Sequence, residues 1–182
     1  LRVIDCIPET KDFIEYMKAN YYDYQNIIHP NITEFNYFNR IRVINARPIV
    51  SNKFYYTYEH YNSVNLFSYV KGKNFDQLLE ITRQLCAAFK YIHLRGMLFC
   101  NINSNRLHVV ENDSDKVQVK VAALPYKKPV HENLLIDDDN IYFKAPEVIQ
   151  FSEYTKQSDV YMLGVILFHI FIDAPIDAPV EG

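Results

Sequence analysis

The 182 residues are enough to bury one sizeable core, and 49% apolar with 23% charged residues is the composition of an ordinary globular domain. A net charge of -3 with no Lys/Arg run excludes the electrostatic footprint of a nucleic-acid binder. The most apolar run, VYMLGVILFHIFI (160–172), is too short for the roughly 20 residues of a spanning helix, so it reads as a core helix and membrane insertion is not expected.

LRVI opens the chain as a short apolar strand. TKDFIEYMKANYYDYQNII follows with apolar and aromatic residues at helical spacing, Thr10 as the N-cap and Pro30 barring what comes after. Tyr21, Tyr22 and Tyr24 within it read as core and interface residues. Two β-rich runs, FNYFNRIRVIN and PIVSNKFYYTYEH, are split by Ala46-Arg47-Pro48 and predict antiparallel strands.

After Asn62-Ser63 the period changes to that of a helix. LLEITRQLCAAFKYIH places Leu78, Thr82, Leu85, Phe89 and Ile92 on one stripe, and Gly96 ends it. The polar loop FCNINSNR leads into LHVV, the turn ENDSDK and VQVKVAAL, a β-hairpin by alternation and turn composition. A long irregular stretch, PYKKPVHENLLIDDDN, then runs to APEV, and the apolar helix follows Ser158-Asp159. The acidic run Asp137-Asp138-Asp139 reads as a solvated loop. Strands first and helices afterwards make the class α+β.

Cys6, Cys86 and Cys100 have no metal-ligand spacing and read as small buried hydrophobes of a reduced, cytoplasmic chain. His29, His93 and His169 have no acid or thiol at metal spacing and read as structural.

HPNI (29–32), YIHLRG (91–96), FKAPEVI (143–149) and SDVYMLGVILF (158–168), in that order and spacing, resemble the protein kinase fold. The resemblance covers essentially the whole chain. It implies a bilobal architecture in one domain: residues 1–61 as an incomplete β-rich small lobe, residues 62–182 as a truncated helical large lobe. The family's Gly-rich loop and its C-terminal helices have no counterpart in this stretch, which is either a fragment or a domain that lacks those parts.

The family's catalytic loop carries an Asp that accepts the substrate hydroxyl proton and an Asn that holds Mg²⁺. The resemblance puts Phe99, Cys100 and Asn101 in place of His-Arg-Asp, Asn103 at the loop lysine and Arg106 at the metal-binding Asn. An amide is a very poor proton acceptor, and a guanidinium repels a divalent cation. Ala123, Leu124 and Pro125 stand where D-F-G belongs, and a methyl group cannot coordinate a hard cation. Arg2 takes the position of the nucleotide-binding Lys and Asn20 that of its Glu partner; Glu15, the nearest alternative, faces elsewhere on the helix.

Asp159 and the hinge-like YEHY (58–61) are the two features retained. Asp159 resembles the Asp that hydrogen-bonds the catalytic-loop backbone, and as an N-terminal helix residue it is favoured by the dipole as well. Glu147 belongs to A-P-E, but its family partner arginine would come from beyond Gly182. YEHY (58–61) resembles the hinge, which makes Arg2, Glu59, Tyr61 and Arg106 the candidate nucleotide contacts.

What this implies is a pseudokinase, a regulatory or scaffolding module of a larger signalling protein. Its partners would be other domains of the same polypeptide or signalling proteins. No cofactor is required, with ATP bound without Mg²⁺ as the open alternative. A weak, unconventional kinase and a ligand-free spacer are the competing readings. For Arg106 a solvated loop residue is preferred to a guanidinium gripping phosphate in place of Mg²⁺. Residues 124–147 contain no Ser or Thr, which leaves Tyr126 and Tyr142 for phosphorylation there.

Overall fold

The computed structural model describes residues 2–6, 11–44, 50–100, 102–111, 117–127 and 141–172, with side chains described for 15–35, 57–100, 102–111, 117–127 and 141–172. Thr10, Ala46-Arg47-Pro48, Asn101 and the acidic run at 137–139 lie outside them.

The first sheet has the order β1-β3-β2, from Arg2–Cys6, Val50–Glu59 and Phe35–Ile44, all antiparallel. The two runs predicted as strands are β2 and β3, paired along their length with one irregularity between Phe35 and Tyr37. Helix α1, Lys11–Gln25, lies between β1 and β2 in the chain and ends five residues before Pro30. It buries Met17 and Tyr24, and the Tyr24 ring lies 5.4 Å from that of Phe35. Tyr22, expected in the core or an interface, is 77% exposed because it falls on the opposite side of the helix from Tyr24.

A two-residue strand β4 (Val64–Asn65) and a short helix α2 (Leu66–Tyr69) separate this sheet from the long helix α3, Phe75–Leu94. A capping box starts α3: Asn74 accepts from the Gln77 amide and Gln77 Oε1 accepts from the Asn74 amide, 3.0 Å each. Gly96 follows its end with φ 70°, the left-handed conformation a helix exit requires. The buried stripe is Leu78, Ile81, Leu85, Ala88, Phe89 and Ile92. Thr82, predicted on it, is half-buried and turns its hydroxyl back to Leu78 O, so Ile81 takes its place in the core. Each large side chain so buried contributes about 1.5–3 kcal/mol.

Strand β5 (Met97–Leu98) precedes the polar loop, and β6 (Leu107–Glu111) and β7 (Val117–Val121) form the predicted hairpin. The second hairpin strand stops at Val121, three residues short of its predicted end. The stretch expected to be irregular from Pro125 begins with a strand: β8 (Tyr126–Lys127) pairs antiparallel with β5. Helices α4 (Pro146–Phe151) and α5 (Lys156–Ile172) complete the described chain. Thr155 and Ser158 cap α5 reciprocally, each amide donating to the other's hydroxyl, so the helix starts before Ser158-Asp159 rather than after it. Among the described residues no helix is long and apolar enough to cross a membrane.

One seam joins the first sheet's entry to the hairpin. Ile32 bridges Val121 in parallel, the Val121 amide donates to Asn31 O at 2.9 Å, and the Thr33 amide donates to Val121 O at 3.0 Å. Buried Asn31 donates from Nδ2 to Gln84 Oε1 and Val119 O, and Gln84 in turn bonds Val117 O and the Val119 amide.

Candidate functional site

The polar loop after α3 is braced from below by α5. Asp159, 1% exposed in the first turn of that helix, accepts the Phe99 amide on Oδ2 at 2.8 Å and the Cys100 amide on Oδ1 at 2.9 Å. His93 Nε2 lies 2.8 Å from Oδ2, which requires the proton on Nε2. One carboxylate thus fixes a helix end and the loop's first two amides. Phe99 is fully buried against Phe89, with ring centroids 4.9 Å apart, and Cys100, also buried, adopts φ 58°. The Ile102 amide then rests on Met162 Sδ at 3.3 Å.

Ser104–Arg106 is a single 3-10 turn, closed by the Arg106 amide on Asn103 O. Asn65 holds it from the linker, donating Nδ2 to Ser104 O at 2.8 Å while its Oδ1 caps α2 through the Phe67 amide. Arg106 O accepts the Ala122 amide at 2.8 Å, which sets the start of β6 beside the end of β7. Arg106 and Ala123 thus flank the base of the hairpin, and Asn103, Arg106 and Ala123 are all half-buried. Ala123 lines a shallow, open depression with Thr33, Phe35, Tyr58, Ala122 and Leu124, drawn from both sides of the seam.

Of the hinge residues, the Tyr61 hydroxyl donates to Glu59 Oε2, and the Lys120 ammonium stands 4.5 Å from the Tyr61 ring centroid. Burial raises the Tyr61 phenol, and its bond to the Glu59 carboxylate raises it further. Burial lowers the Lys120 ammonium against the raising fields of Glu59 and Glu34. The side chains of Glu59 and Tyr61 are thus engaged with each other, and the Glu59 amide donates to Glu34 O at 3.2 Å. Arg2 pairs with Glu59 in the β1–β3 register; its side chain is outside the description.

Sequence reasoning passed over Lys120, Asn31 and Gln84. Lys120 falls within the apolar alternation of VQVKV, and Gln84 interrupts the helical pattern between Ile81 and Leu85; a polar residue set among core positions was the available signal. His108, facing Ser63 Oγ at 3.5 Å, was also missed. Burial lowers its imidazole, and the Arg106 charge lowers it further, against a raising bond to the Asn105 backbone. Other expectations are corrected. Cys86 is exposed, since it lies on the outer face of α3, whereas Cys100 is buried. Tyr126 is 4% exposed under α1 and closed to modification; Tyr142, 50% exposed, is open. Glu147 is half-buried in the first turn of α4, where the helix dipole favours its charge. Among the described residues no three His, Cys, Asp or Glu side chains gather as a metal site.

A small antiparallel sheet with one helix, joined by a seam to a helical part whose polar loop is braced by a helix-borne carboxylate, defines a kinase-like α+β domain. The chain belongs to the protein kinase family: the protein kinase domain model matches residues 20–178. It is similar to the probable serine/threonine-protein kinase kinY of Dictyostelium discoideum, 24% identical over 95% of this chain and 32% of that protein. It is also 30% identical to the STE20-related kinase adapter protein strd-1 of Caenorhabditis elegans, over 55% of this chain and 27% of that one. A probable serine/threonine-protein kinase KIN1 homolog of Encephalitozoon cuniculi is 27% identical over 64% of the chain and 22% of its own length. The chain spans less than a third of the length of each of these relatives.

Proposed function

We propose that this protein kinase-family domain does not transfer phosphate and serves as a regulatory or scaffolding module of a larger cytoplasmic signalling protein. The observation that carries the reading is the identity of Arg106 and Ala123, just before β6 and just after β7, where the Ala122 amide donates to Arg106 O. The resemblance makes these the two metal-binding positions, and neither a guanidinium nor a methyl group supplies the oxygen that a divalent cation demands. These side chains do not fit Mg²⁺. Asn101, at the position of the base, adds an amide that accepts protons poorly.

The braces around the loop support a scaffold in which position is kept and chemistry is not. Asp159 still anchors Phe99 and Cys100, and Asn65 still holds Ser104. Similarity to a protein named an adapter supports the same reading. The module's partners are then neighbouring domains of its own polypeptide or other signalling proteins, biased by contact with this domain.

ATP without Mg²⁺ is the second reading, favoured by the fixed main chain of Arg106 at the base of the hairpin, since a guanidinium grips phosphate well. Thermal shift with ATP, ADP and GTP, each with Mg²⁺ and with EDTA, separates the two. A ligand of the native state raises the melting temperature, by an increment that grows with concentration above Kd. The regulatory reading expects no Mg²⁺-dependent shift at millimolar nucleotide; a shift that requires Mg²⁺ overturns it. A shift retained in EDTA and lost in Arg106→Ala establishes the metal-free site.

A further inference from the structure

The last turn of helix α3 and the turn that follows α1 form one exposed surface that no part of the site uses. Tyr91 joins them. Its hydroxyl accepts the Ile28 amide at 3.0 Å and donates to Asn26 O at 3.5 Å, and its ring lies 4.9 Å from that of His29. The Arg95 guanidinium stands over the same ring, 4.7 Å from the centroid. Lys90 and Leu94 are four residues apart on α3 and so share one strip of it, with Leu94 also three beyond Tyr91. Ile28 is 78% exposed and Leu94 77%, and Lys90 and Arg95 are exposed beside them.

The charged and the apolar parts of this surface have different causes. Cations at a helix C-terminus are favoured by its dipole, which accounts for Lys90 and Arg95. The dipole does nothing for Leu94 or Ile28, which leave water only against a further apolar surface. Neither cation forms an ion pair with another described residue. Arg95 is also held by the Tyr91 ring, and a guanidinium already fixed in place loses less entropy on gripping a carboxylate.

Charge selects the occupant. The chain carries a net charge of -3, so an extended polyanion or an anionic membrane meets overall repulsion and gains from only two exposed cations here. A short segment senses only the charges within a Debye length of about 8 Å. We propose that Ile28, Lys90, Leu94 and Arg95 form a docking surface for an extended acidic segment of a partner protein. Its carboxylates meet Lys90 and Arg95, and its apolar side chains cover Ile28 and Leu94. Such a surface gives the scaffolding reading a class of partner. Peptide binding is measured apart from phosphoryl transfer, so either can fail without the other.

A random peptide library displayed on phage and panned against the full-length protein reads the preference. The enriched sequences are expected to combine Asp or Glu with Leu, Ile or Phe. A synthetic peptide of the consensus is expected to bind about tenfold more weakly or worse to Lys90→Glu, Arg95→Glu, and about threefold more weakly to Leu94→Ser. These side chains are exposed, so the variants keep the fold, and a melting temperature close to that of the wild type checks it. Lys71→Glu, Lys73→Glu, before the opposite end of α3, makes the same change in net charge and is expected to leave affinity within about twofold. Equal loss in the two charge-reversed variants overturns the proposal. So does enrichment of basic or uncharged sequences, the absence of any enriched sequence, or binding of phosphatidylserine vesicles in place of peptide.

Discussion

Sixty positions separate Phe99 from Asp159, yet the Phe99 amide donates to Asp159 Oδ2 at 2.8 Å. The neighbouring Cys100 amide uses the other oxygen, and His93 shares the first. A buried charge so placed is stabilised because every partner is a donor aimed at it. Asp159→Ala orphans two buried amides and the imidazole and is expected to lower unfolding free energy by about 3 kcal/mol or more. Asp159→Asn keeps one acceptor oxygen and costs about 1–2 kcal/mol. Urea titrations of the two variants check the order; equal losses contradict it.

Asn31 and Gln84 form the seam's polar knot. Gln84→Ala removes the acceptor of the Val119 amide and of Asn31 Nδ2 together, and it leaves Val117 O without that donor. The expected loss is about 1–3 kcal/mol, and Asn31→Ala added to it costs less than the sum because the two residues share bonds. A four-variant denaturation cycle tests this, and strict additivity contradicts a shared knot.

Two histidines give the fold an acid sensitivity of predictable sign. Burial holds His29 below its ordinary value of 6.5, with the Lys120 charge adding, and burial with the Arg106 charge does so for His108. Both bind protons more weakly folded than unfolded. The stability they contribute is complete above about pH 6.5 and is lost as pH falls through their lowered folded values. Melting temperature is expected to drop from about pH 7.5 to about pH 5.5, and to drop less in His29→Gln, His108→Gln. An undiminished drop in that variant excludes these two groups as the source.

Gly96 stands at φ 70° with open space where a Cβ would sit. Gly96→Ala therefore meets backbone strain and no clash, for a loss of about 1 kcal/mol in a denaturation curve. A loss near zero contradicts that account of the helix exit.

Much of the fold was legible because period and punctuation agreed. The stripe of α3 with Gly96 at its end, the alternation on either side of ENDSDK, and the long β-rich runs each answer to one local rule. Thr82 and Ile81 show the limit, since adjacent positions on a helix differ by a rotation that only packing resolves. β8 was read as loop because two residues carry no period, and its strand depends on β5, far away in sequence. At the site, the family resemblance indicated which positions to compare, Asn103, Arg106 and Ala123 among them. The bonds that hold the place together link residues too distant for any local pattern, as Asn65 with Ser104 and Tyr16 with Lys127 show.

The central claim concerns Arg106 and Ala123, so phosphoryl transfer is its most direct measure. Full-length protein incubated with radiolabelled ATP, Mg²⁺ or Mn²⁺ and a mixed protein substrate is expected to incorporate no label above that of heat-inactivated protein. Incorporation by the wild type that Arg106→Ala abolishes would contradict the account, because the guanidinium would then be working in the reaction it is argued to prevent.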